Sequence, residues 1–267
     1  MLFLRSLIYA IFLMITVIPW GLMSVALSIF VRGVKLYKFA MMWTAAAVWG
    51  AKWICGVTWR VRGEENLPAG AVILCPKHQS AWETLFLPVY MPKPLCFVFK
   101  KELLMIPFFG WAIGKLNMIH IDRKQKTKAW NKVAAQGKAF MEQDHWVILF
   151  PEGTRTARGQ QGTYKKGASR LAVATQVPIV PIAITSGRCW PRHVFVKKPG
   201  VIDVSIGQPI AVEGKNEDEL MLEVEQWIEA EMRRLDPEAY LDTAVKQVNA
   251  AASSTTGAEA SQTVRSL

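Results

Sequence analysis

The sequence is short of acidic residues relative to its basic ones. It contains 21 Asp and Glu against 32 Lys and Arg, so its formal net charge at pH 7 is +11 over 267 residues. Such an imbalance favours an anionic partner: a nucleic acid, an anionic bilayer or a phosphorylated small molecule. Charge alone leaves these three classes open. Hydrophobic residues make up 51% of the chain, which excludes disorder except at the ends.

Cysteine is also scarce, with four residues scattered along the chain and no CxxC pair. No histidine completes a zinc-type pattern with them, so we predict no metal site and a reduced domain that faces the cytosol. Cys75 lies three residues before His78, but it ends the apolar run AVILC. We therefore predict a buried strand residue rather than a thiol nucleophile. A GxSxG elbow is absent too, which disfavours a hydrolase.

Charge is missing altogether from residues 7–31. A helix of that length would extend about 37 Å, and the hydrocarbon core of a bilayer is about 30 Å thick. A signal peptide has a shorter apolar core and a small-residue cleavage site, and no such site is evident here. Pro19, Trp20 and Gly21 interrupt the run. Two interpretations stay open: a helix that spans the membrane, or a kinked element that dips into one leaflet.

Basic residues follow this run more often than they precede it. Arg32, Lys35 and Lys38 come after it and Arg5 alone comes before it. This asymmetry places the C-terminal side in the cytoplasm, and it predicts a protein of the cytoplasmic (inner) membrane whose main domain faces the cytoplasm. The next apolar stretch, residues 39–59, holds four tryptophans. It is typical of an interfacial helix followed by a strand, with a core helix as the alternative.

After residue 60 short apolar runs alternate with amphipathic stretches, which is typical of an α/β fold. We predict a mixed sheet flanked by helices, preceded by a hydrophobic, membrane-associated helical segment. The predicted strands are 58–61, 71–75, 95–99, 118–121, 146–150, 179–184 and 201–206. The predicted helices are 80–90, 126–143, 166–175 and 217–235. The expected divisions are a helical segment at 1–56, the α/β domain at 57–240 and a disordered tail at 241–267.

His78 lies between the second predicted strand and the helix that follows it. Neutral imidazole is the usual general base near neutral pH, and a carboxylate that binds its other nitrogen fixes the tautomer. Glu83 is the nearest candidate. Five residues of helix turn through about 500°, so the two side chains meet only if His78 precedes the helix. Residues 80–83 also match a capping box, and an ordinary capped helix is the alternative.

The loop FPEGTR, residues 150–155, follows another apolar strand. Gly153 lets the backbone approach a ligand closely, Arg155 is suited to holding phosphate oxygens, and Glu152 is suited to accepting from a substrate hydroxyl. A turn with a surface ion pair is the alternative. Basic pairs stand at 100–101, 123–124 and 165–166. Pairs at successive strand ends indicate one basic pocket, although each pair alone is typical of a solvated face.

Four segments in this order resemble the bacterial 1-acylglycerol-3-phosphate acyltransferases, the lysophosphatidic acid acyltransferases. They are KHQSAWE, PFFGWAIGKLNMIHIDR, FPEGTR with TYKKGA, and VPIVPIAI. The resemblance spans residues 61–207, and the hydrophobic N-terminus fits it as well. It differs from the usual family pattern at Glu83, where Asp is commoner, and at His120, where an aromatic or aliphatic residue is commoner. We expect His120 to be a strand residue.

The resemblance implies transfer of an acyl group from acyl-CoA or acyl-carrier protein to the sn-2 hydroxyl of 1-acylglycerol 3-phosphate. It implies His78 as the base and Glu83 as its orienting partner. It also implies phosphate binding by Arg123 and Arg155 with help from Lys101, and an acceptor site shaped by Glu152 and Gly153. VPIVPIAI would lie near the acyl or acceptor pocket.

The expected partners are lysophosphatidic acid, the acyl donor and the bilayer. We expect no nucleic acid and no cofactor beyond the acyl donor. Two alternatives stay open: an acyltransferase for glycerol 3-phosphate or another lysophospholipid, and a non-catalytic membrane protein that binds anionic lipid.

Overall fold

The computed structural model describes residues 1–122 and 126–241. The predicted phosphate ligand Arg123 lies outside the described residues. So does the predicted disordered tail, except for its first residue. The description below concerns the two ranges that the structure covers.

Seven strands form one mixed sheet in the order β1-β7-β6-β2-β5-β3-β4. The strands are β1 (Val57–Arg62), β2 (Ile73–Pro76), β3 (Leu95–Lys100), β4 (Ile119–Ile121), β5 (Trp146–Ile148), β6 (Ile179–Ile184) and β7 (Gly200–Ile206). Every neighbouring pair is parallel except β6 and β7, which run antiparallel. The predicted mixed sheet is confirmed, and each predicted strand corresponds to one observed strand. Cys75 lies fully buried in β2, as predicted.

The parallel strands of the sheet bring several candidate site residues to one edge. β2, β5, β3 and β4 are consecutive neighbours and all run in the same direction. Their carboxyl ends therefore meet at one edge of the sheet, which is where open α/β sheets place their ligand sites. His78 follows β2, FPEGTR follows β5, and the basic pair at 100–101 lies at the end of β3.

Helices cover both faces of the sheet. They are α1 (Leu2–Leu27), α2 (Gly33–Gly50), α3 (Trp82–Tyr90), α4 (Phe109–Ile113), α5 (Lys126–Glu142), α6 (Gly167–Thr175) and α7 (Glu217–Leu235). Alternation along the strands divides the core: Leu74 and Ile148 pack towards α3, whereas Ile73 and Val147 pack towards α5, α6 and α7. α7 begins with a complete capping box of Asn216 and Glu219 and has the predicted bounds.

The N-terminal helices pack against the domain as well as against each other. α1 begins five residues earlier than predicted and continues through Pro19 without a break. Near its start, Ser6 Oγ accepts a hydrogen bond from the Lys197 backbone and the Tyr9 hydroxyl donates to the Ala47 carbonyl. Near its other end, Gly21 lies so close to the Phe108 backbone that an added Cβ would be 2.8 Å from the carbonyl oxygen. Contacts along α1 therefore fix it to the domain.

By length and apolarity, α1 is the one helix within the described ranges that could cross a membrane. Only 11% of its most apolar window is buried in the fold, whereas the core helix of a soluble protein is mostly buried. A signal sequence near an N-terminus can pass the same test of length and apolarity. The exposed side chains of α1 and α2 include Ile11, Met14, Ile15 and Trp49, so a broad apolar surface lies on the outside of these helices.

Candidate active site

His78 and Glu83 form a direct pair at the carboxyl end of β2. His78 Nδ1 lies 2.9 Å from Glu83 Oε1. α3 begins at Trp82, so His78 precedes the helix, which is the condition that the five-residue spacing requires. A carboxylate only accepts hydrogen bonds, and the neutral ring therefore carries its hydrogen on Nδ1. Nε2 is left with a lone pair, which a general base needs.

Glu83 serves the start of α3 at the same time. Its Oε1 accepts hydrogen bonds from the backbone amides of Gln79 and Ser80, each at 2.7 Å. The Ser80 hydroxyl accepts from the amide of Trp82. The carboxylate is fully buried, and its bonds to the two amides hold it rigidly in front of the imidazole. The capping and the orienting interpretations of Glu83 are therefore compatible in geometry.

Two neighbours fix His78 from its other sides. Its ring stacks on Phe150, with centroids 3.9 Å apart and planes inclined by 22°. Its carbonyl accepts a hydrogen bond from the Thr156 amide at 2.7 Å. Both contacts come from FPEGTR or the residue directly after it. The loop thus holds the histidine in place as well as supplying groups of its own.

A cavity of about 920 Å³ opens beside His78. Its lining combines a polar end, at His78 and the FPEGTR loop, with a long apolar part built from β3, α2, α3 and α4. The apolar part includes Trp43, Phe97, Phe99 and Leu103. β6, which carries VPIVPIAI, lies on the other side of β2 from β5 and β3. The cavity is thus suited to a molecule with a polar head and a long hydrocarbon chain.

Three cationic side chains line the polar end of the cavity: Lys100, Arg155 and Lys165. None of them forms an ion pair with an acidic residue among those that the structure describes. Gly153 has a φ of +65°, and Lys165 Nζ lies 2.9 Å from the position that a Cβ would take there. A side chain at position 153 would displace the lysine from the cavity wall. The glycine therefore admits a cation as well as permitting the turn.

The structure places two of the predicted ligands, Lys101 and Glu152, outside the cavity lining. Lys101 does not line the cavity; its ammonium lies 2.6 Å from Asp122, on a side chain that is 49% exposed. Lys100, the last residue of β3, lines the cavity instead, whereas Lys101 begins the 3-10 turn of residues 101–105. Glu152 is 3% exposed and lies behind the cavity wall, 3.3 Å from the ammonium of Lys77. It has no access to a substrate hydroxyl there. Arg123 lies outside the described residues.

Among residues 1–122 and 126–241, no three side chains of His, Cys, Asp and Glu converge as a metal site would require. His120 lies in β4, as predicted, and is exposed. The sequence did not single out Lys77, although it directly precedes His78, nor the contribution of α2 to the cavity. For Lys77 its position within the motif was the available signal. For α2 no local signal existed, because its apolar residues also fit an interfacial helix.

Comparisons with known proteins assign the chain to a family. A sequence profile described as Acyltransferase matches residues 58–185, from β1 to the end of β6. The 1-acyl-sn-glycerol-3-phosphate acyltransferase of Pseudomonas aeruginosa is 36% identical over 237 residues, which cover 87% of this chain and 92% of that protein. The chain belongs to the 1-acyl-sn-glycerol-3-phosphate acyltransferase family. It is an acyltransferase, as the resemblance in its motifs indicated.

A mammalian relative and a solved structure also align with this chain. The 1-acyl-sn-glycerol-3-phosphate acyltransferase alpha of Mus musculus is 31% identical over 64% of this chain and 61% of its own length. The crystal structure of the 1-acyl-sn-glycerophosphate acyltransferase PlsC from Thermotoga maritima superimposes with a TM-score of 0.72 at 24% identity. That alignment covers 87% of this chain and 95% of that one, so the likeness in fold extends beyond the residues 58–185 that the sequence profile matches.

Proposed function

We propose that this acyltransferase moves an acyl group from acyl-CoA or acyl-carrier protein to the sn-2 hydroxyl of 1-acylglycerol 3-phosphate, forming phosphatidic acid. His78 is the general base and Glu83 its orienting partner. The observation that carries the proposal is the 2.9 Å His78–Glu83 pair at the polar end of the large cavity. The names of the relatives support the choice of acceptor.

The chemistry follows from the free nitrogen of the pair. His78 Nε2 takes the proton of the acceptor hydroxyl while the oxygen attacks the thioester carbonyl carbon. The imidazolium that forms is stabilised by the Glu83 carboxylate. When the tetrahedral intermediate collapses, the C–S bond breaks and the thiolate leaves with the proton from His78. Transfer is direct, so the reaction requires no covalent acyl-enzyme.

Binding divides between the two ends of the cavity. Arg155, Lys100 and Lys165 supply charge for the phosphate of the acceptor, and the guanidinium suits bidentate contact with phosphate oxygens. The aromatic and aliphatic wall receives hydrocarbon chain. Gly153 keeps the backbone close to the ligand and admits Lys165. Arg123 and Lys101 remain predicted ligands, and the comparison of Lys100→Met with Lys101→Met below measures the contribution of Lys101.

Attachment to the cytoplasmic leaflet of the inner membrane completes the proposal. Contacts with the domain near both ends of α1 favour a helix that lies in one leaflet over one that crosses the bilayer alone. The exposed apolar side chains of α1 and α2 would then face lipid. The basic residues after α1 favour a cytoplasmic domain. Protease accessibility in sealed inverted vesicles tests the orientation.

The decisive experiment compares His78→Ala with His120→Ala, which removes an exposed histidine of β4 outside the cavity lining. Purified membranes are incubated with labelled acyl donor and a panel of acceptors. We expect His78→Ala to lose at least about a thousandfold in turnover while it stays membrane-bound, because the base is removed. His120→Ala should match the wild type. Turnover by His78→Ala would refute the mechanism.

The same panel separates the alternative functions. Acylation of glycerol 3-phosphate or another lysophospholipid, without acylation of lysophosphatidic acid, would overturn the proposed acceptor but leave the chemistry intact. Absence of transfer with every donor and acceptor, together with retained binding to anionic vesicles, would favour a non-catalytic lipid-binding protein. Comparing acyl-CoA with acyl-carrier protein identifies the donor.

A further inference from the structure

A buried ammonium lies directly behind the catalytic edge. The side chain of Lys77 is fully buried, with its Nζ 2.5 Å from Glu229 Oε1 and 3.3 Å from Glu152 Oε1. The carbonyl oxygens of Gln161 and Gln160 accept from the same ammonium at 2.7 and 3.2 Å. Burial of an unpaired ammonium costs several kcal/mol. These four acceptors offset that cost.

The cluster joins three elements that are distant in sequence. Lys77 follows β2, Glu152 lies in the loop after β5, and Glu229 lies on α7. The Tyr164 hydroxyl also donates to Glu229 Oε1, at 2.9 Å. α7 therefore does more than close the fold, because one of its carboxylates reaches the residue adjacent to His78. Hereafter we refer to Lys77, Glu152 and Glu229 as the ammonium cluster.

The ammonium cluster holds the backbone of His78. Glu152 Oε1, which faces the Lys77 ammonium, also accepts from the His78 amide at 3.4 Å. Glu83 orients the imidazole ring on the other side. The position of His78 thus depends on two carboxylates, one that binds its ring and one that binds its backbone. Lys77 determines the position of the second.

The charges in the cluster are unequal, with two carboxylates around one ammonium. Burial raises the pKa of the Glu152 carboxyl, and the Lys77 ammonium opposes that shift. Glu152 Oε2 is buried and accepts no hydrogen bond from the residues that the structure describes. A buried ion pair adds little net stability compared with a well-packed apolar group. Its geometry, however, fixes the atoms that it joins.

We propose that Lys77 is a positioning residue for the acyl transfer: through Glu152 it fixes the His78 backbone and the FPEGTR loop, and through Glu229 it locks both to α7. Lys77 does not line the cavity, so it acts through its neighbours and not on the substrate. The inference rests on His78 being the base, as proposed above.

The test compares Lys77→Met with Glu229→Gln by steady-state kinetics across pH. Lys77→Met keeps the length of the side chain and removes its charge. We expect kcat to fall about tenfold to a hundredfold, because a misplaced catalytic group loses its alignment, while KM for the acceptor changes little. Glu229→Gln retains the shape and a hydrogen-bonding oxygen, so its kcat should fall less.

The pH profile separates positioning from general stability. The charged groups around His78 are Glu83, Glu152 with Lys77, and the three cavity cations Lys100, Arg155 and Lys165. Loss of the Lys77 charge leaves a more negative surrounding, which favours the protonated imidazole, so the acidic limb should move to higher pH. Glu229→Gln removes a negative charge and should move that limb to lower pH. Opposite shifts are the expected signature.

Lys215→Met is the matched control, because it removes a lysine that pairs with Glu223 of α7 away from the cluster; we expect kinetics like those of the wild type. Wild-type turnover and pH profile in both cluster variants would overturn the positioning role. If Lys77→Met does not fold, Glu229→Gln decides alone by the direction of its shift. Activity in His78→Ala would instead refute the proposed function, which keeps the two failures distinct.

Discussion

Basic residues have different partners in two regions of the protein: the surroundings of β7, and the edge of the sheet where β2, β5 and β3 end. Around β7, arginines lie against acids: Arg60 and Arg188 contact Asp203, and Arg158 and Arg188 contact Asp236. At the edge formed by β2, β5 and β3, the three cavity-lining cations have no acidic partner among the residues that the structure describes. In the first region the basic side chains pair with acids and stabilise the fold. In the second region the basic side chains are available to bind an anionic ligand.

This difference indicates which cations matter for which property. Removing a paired arginine takes one of two cations away from a buried carboxylate, so the fold should suffer and the chemistry should not. Removing a cavity cation leaves no acid unpaired, so binding should suffer and the fold should not. The predictions below test the contrast from the largest expected effect to the smallest.

Arg155→Met should have the largest effect. Charge-assisted hydrogen bonds are worth about 1.5–3 kcal/mol, so we expect kcat/KM for the phosphorylated acceptor to fall about a hundredfold, chiefly through KM. The unfolding temperature should stay within about 1 °C of that of the wild type. Acceptor titrations and thermal unfolding in detergent measure the two properties. A large loss of stability with an unchanged KM would break the contrast.

Arg188→Met should show the reverse pattern. Its guanidinium bridges Asp203 and Asp236, two acids that are nearly buried. Loss of this bridge should destabilise the protein by about 2 kcal/mol, which lowers the unfolding temperature by about 4–8 °C. Turnover per folded molecule at 20 °C should match the wild type. An Arg188→Met enzyme with normal stability and weak acceptor binding would contradict the assignment.

Acid should weaken the paired region first. Burial alone would raise the pKa of Asp236, but hydrogen bonds from Arg158 and Arg188 lower it below its ordinary value. A depressed pKa contributes stability above the unfolded value, about 3.9, and that contribution is lost as pH falls through the folded value. We expect denaturant unfolding to show stability decreasing below about pH 4. Asp236→Asn should flatten this decrease, and an equally steep decrease in that variant would refute the assignment.

Adjacent lysines provide the smallest and sharpest comparison. Lys100 lines the cavity, whereas Lys101 pairs with Asp122 on the surface, and the hydrogen bond to Asp122 raises the pKa of Lys101. Lys100→Met should raise KM for the acceptor about tenfold. Lys101→Met should change it less than about twofold, since exposed pairs contribute little. If initial-rate assays instead show a larger increase in KM for Lys101→Met than for Lys100→Met, then Lys101 is the phosphate ligand, as the sequence predicted.

Local pattern was sufficient to predict the strands and α7. Short apolar runs located all seven strands, and helical periodicity gave the bounds of α7. The helix predicted to begin at residue 80 begins at Trp82, and the amides of Gln79 and Ser80 before it donate to the Glu83 carboxylate. α1 includes Arg5, although the prediction began after it. The Arg5 guanidinium donates a hydrogen bond to the carbonyl of Ile54, which is distant in sequence.

The candidate site was predictable as a set of segments but not as a set of contacts. Motif order placed His78, Glu83 and FPEGTR at one edge of the sheet. It could not separate Lys100 from Lys101, because the exact end of β3 decides which of the two side chains reaches the cavity. It could not show that Glu152 faces inward either. The partners that hold Glu152 there include Lys77, and Glu229 is 152 positions away from that lysine.

The cavity wall that α2 supplies bears on how this enzyme can be engineered. Met41, Trp43 and Thr44 belong to the N-terminal helices, yet they line the same space as His78. Deleting those helices to obtain a water-soluble enzyme would remove part of the cavity wall and expose the cavity to water. Exchange of α1 and α2 between family members is the more promising route, because it would remodel the hydrocarbon compartment while leaving the catalytic pair untouched.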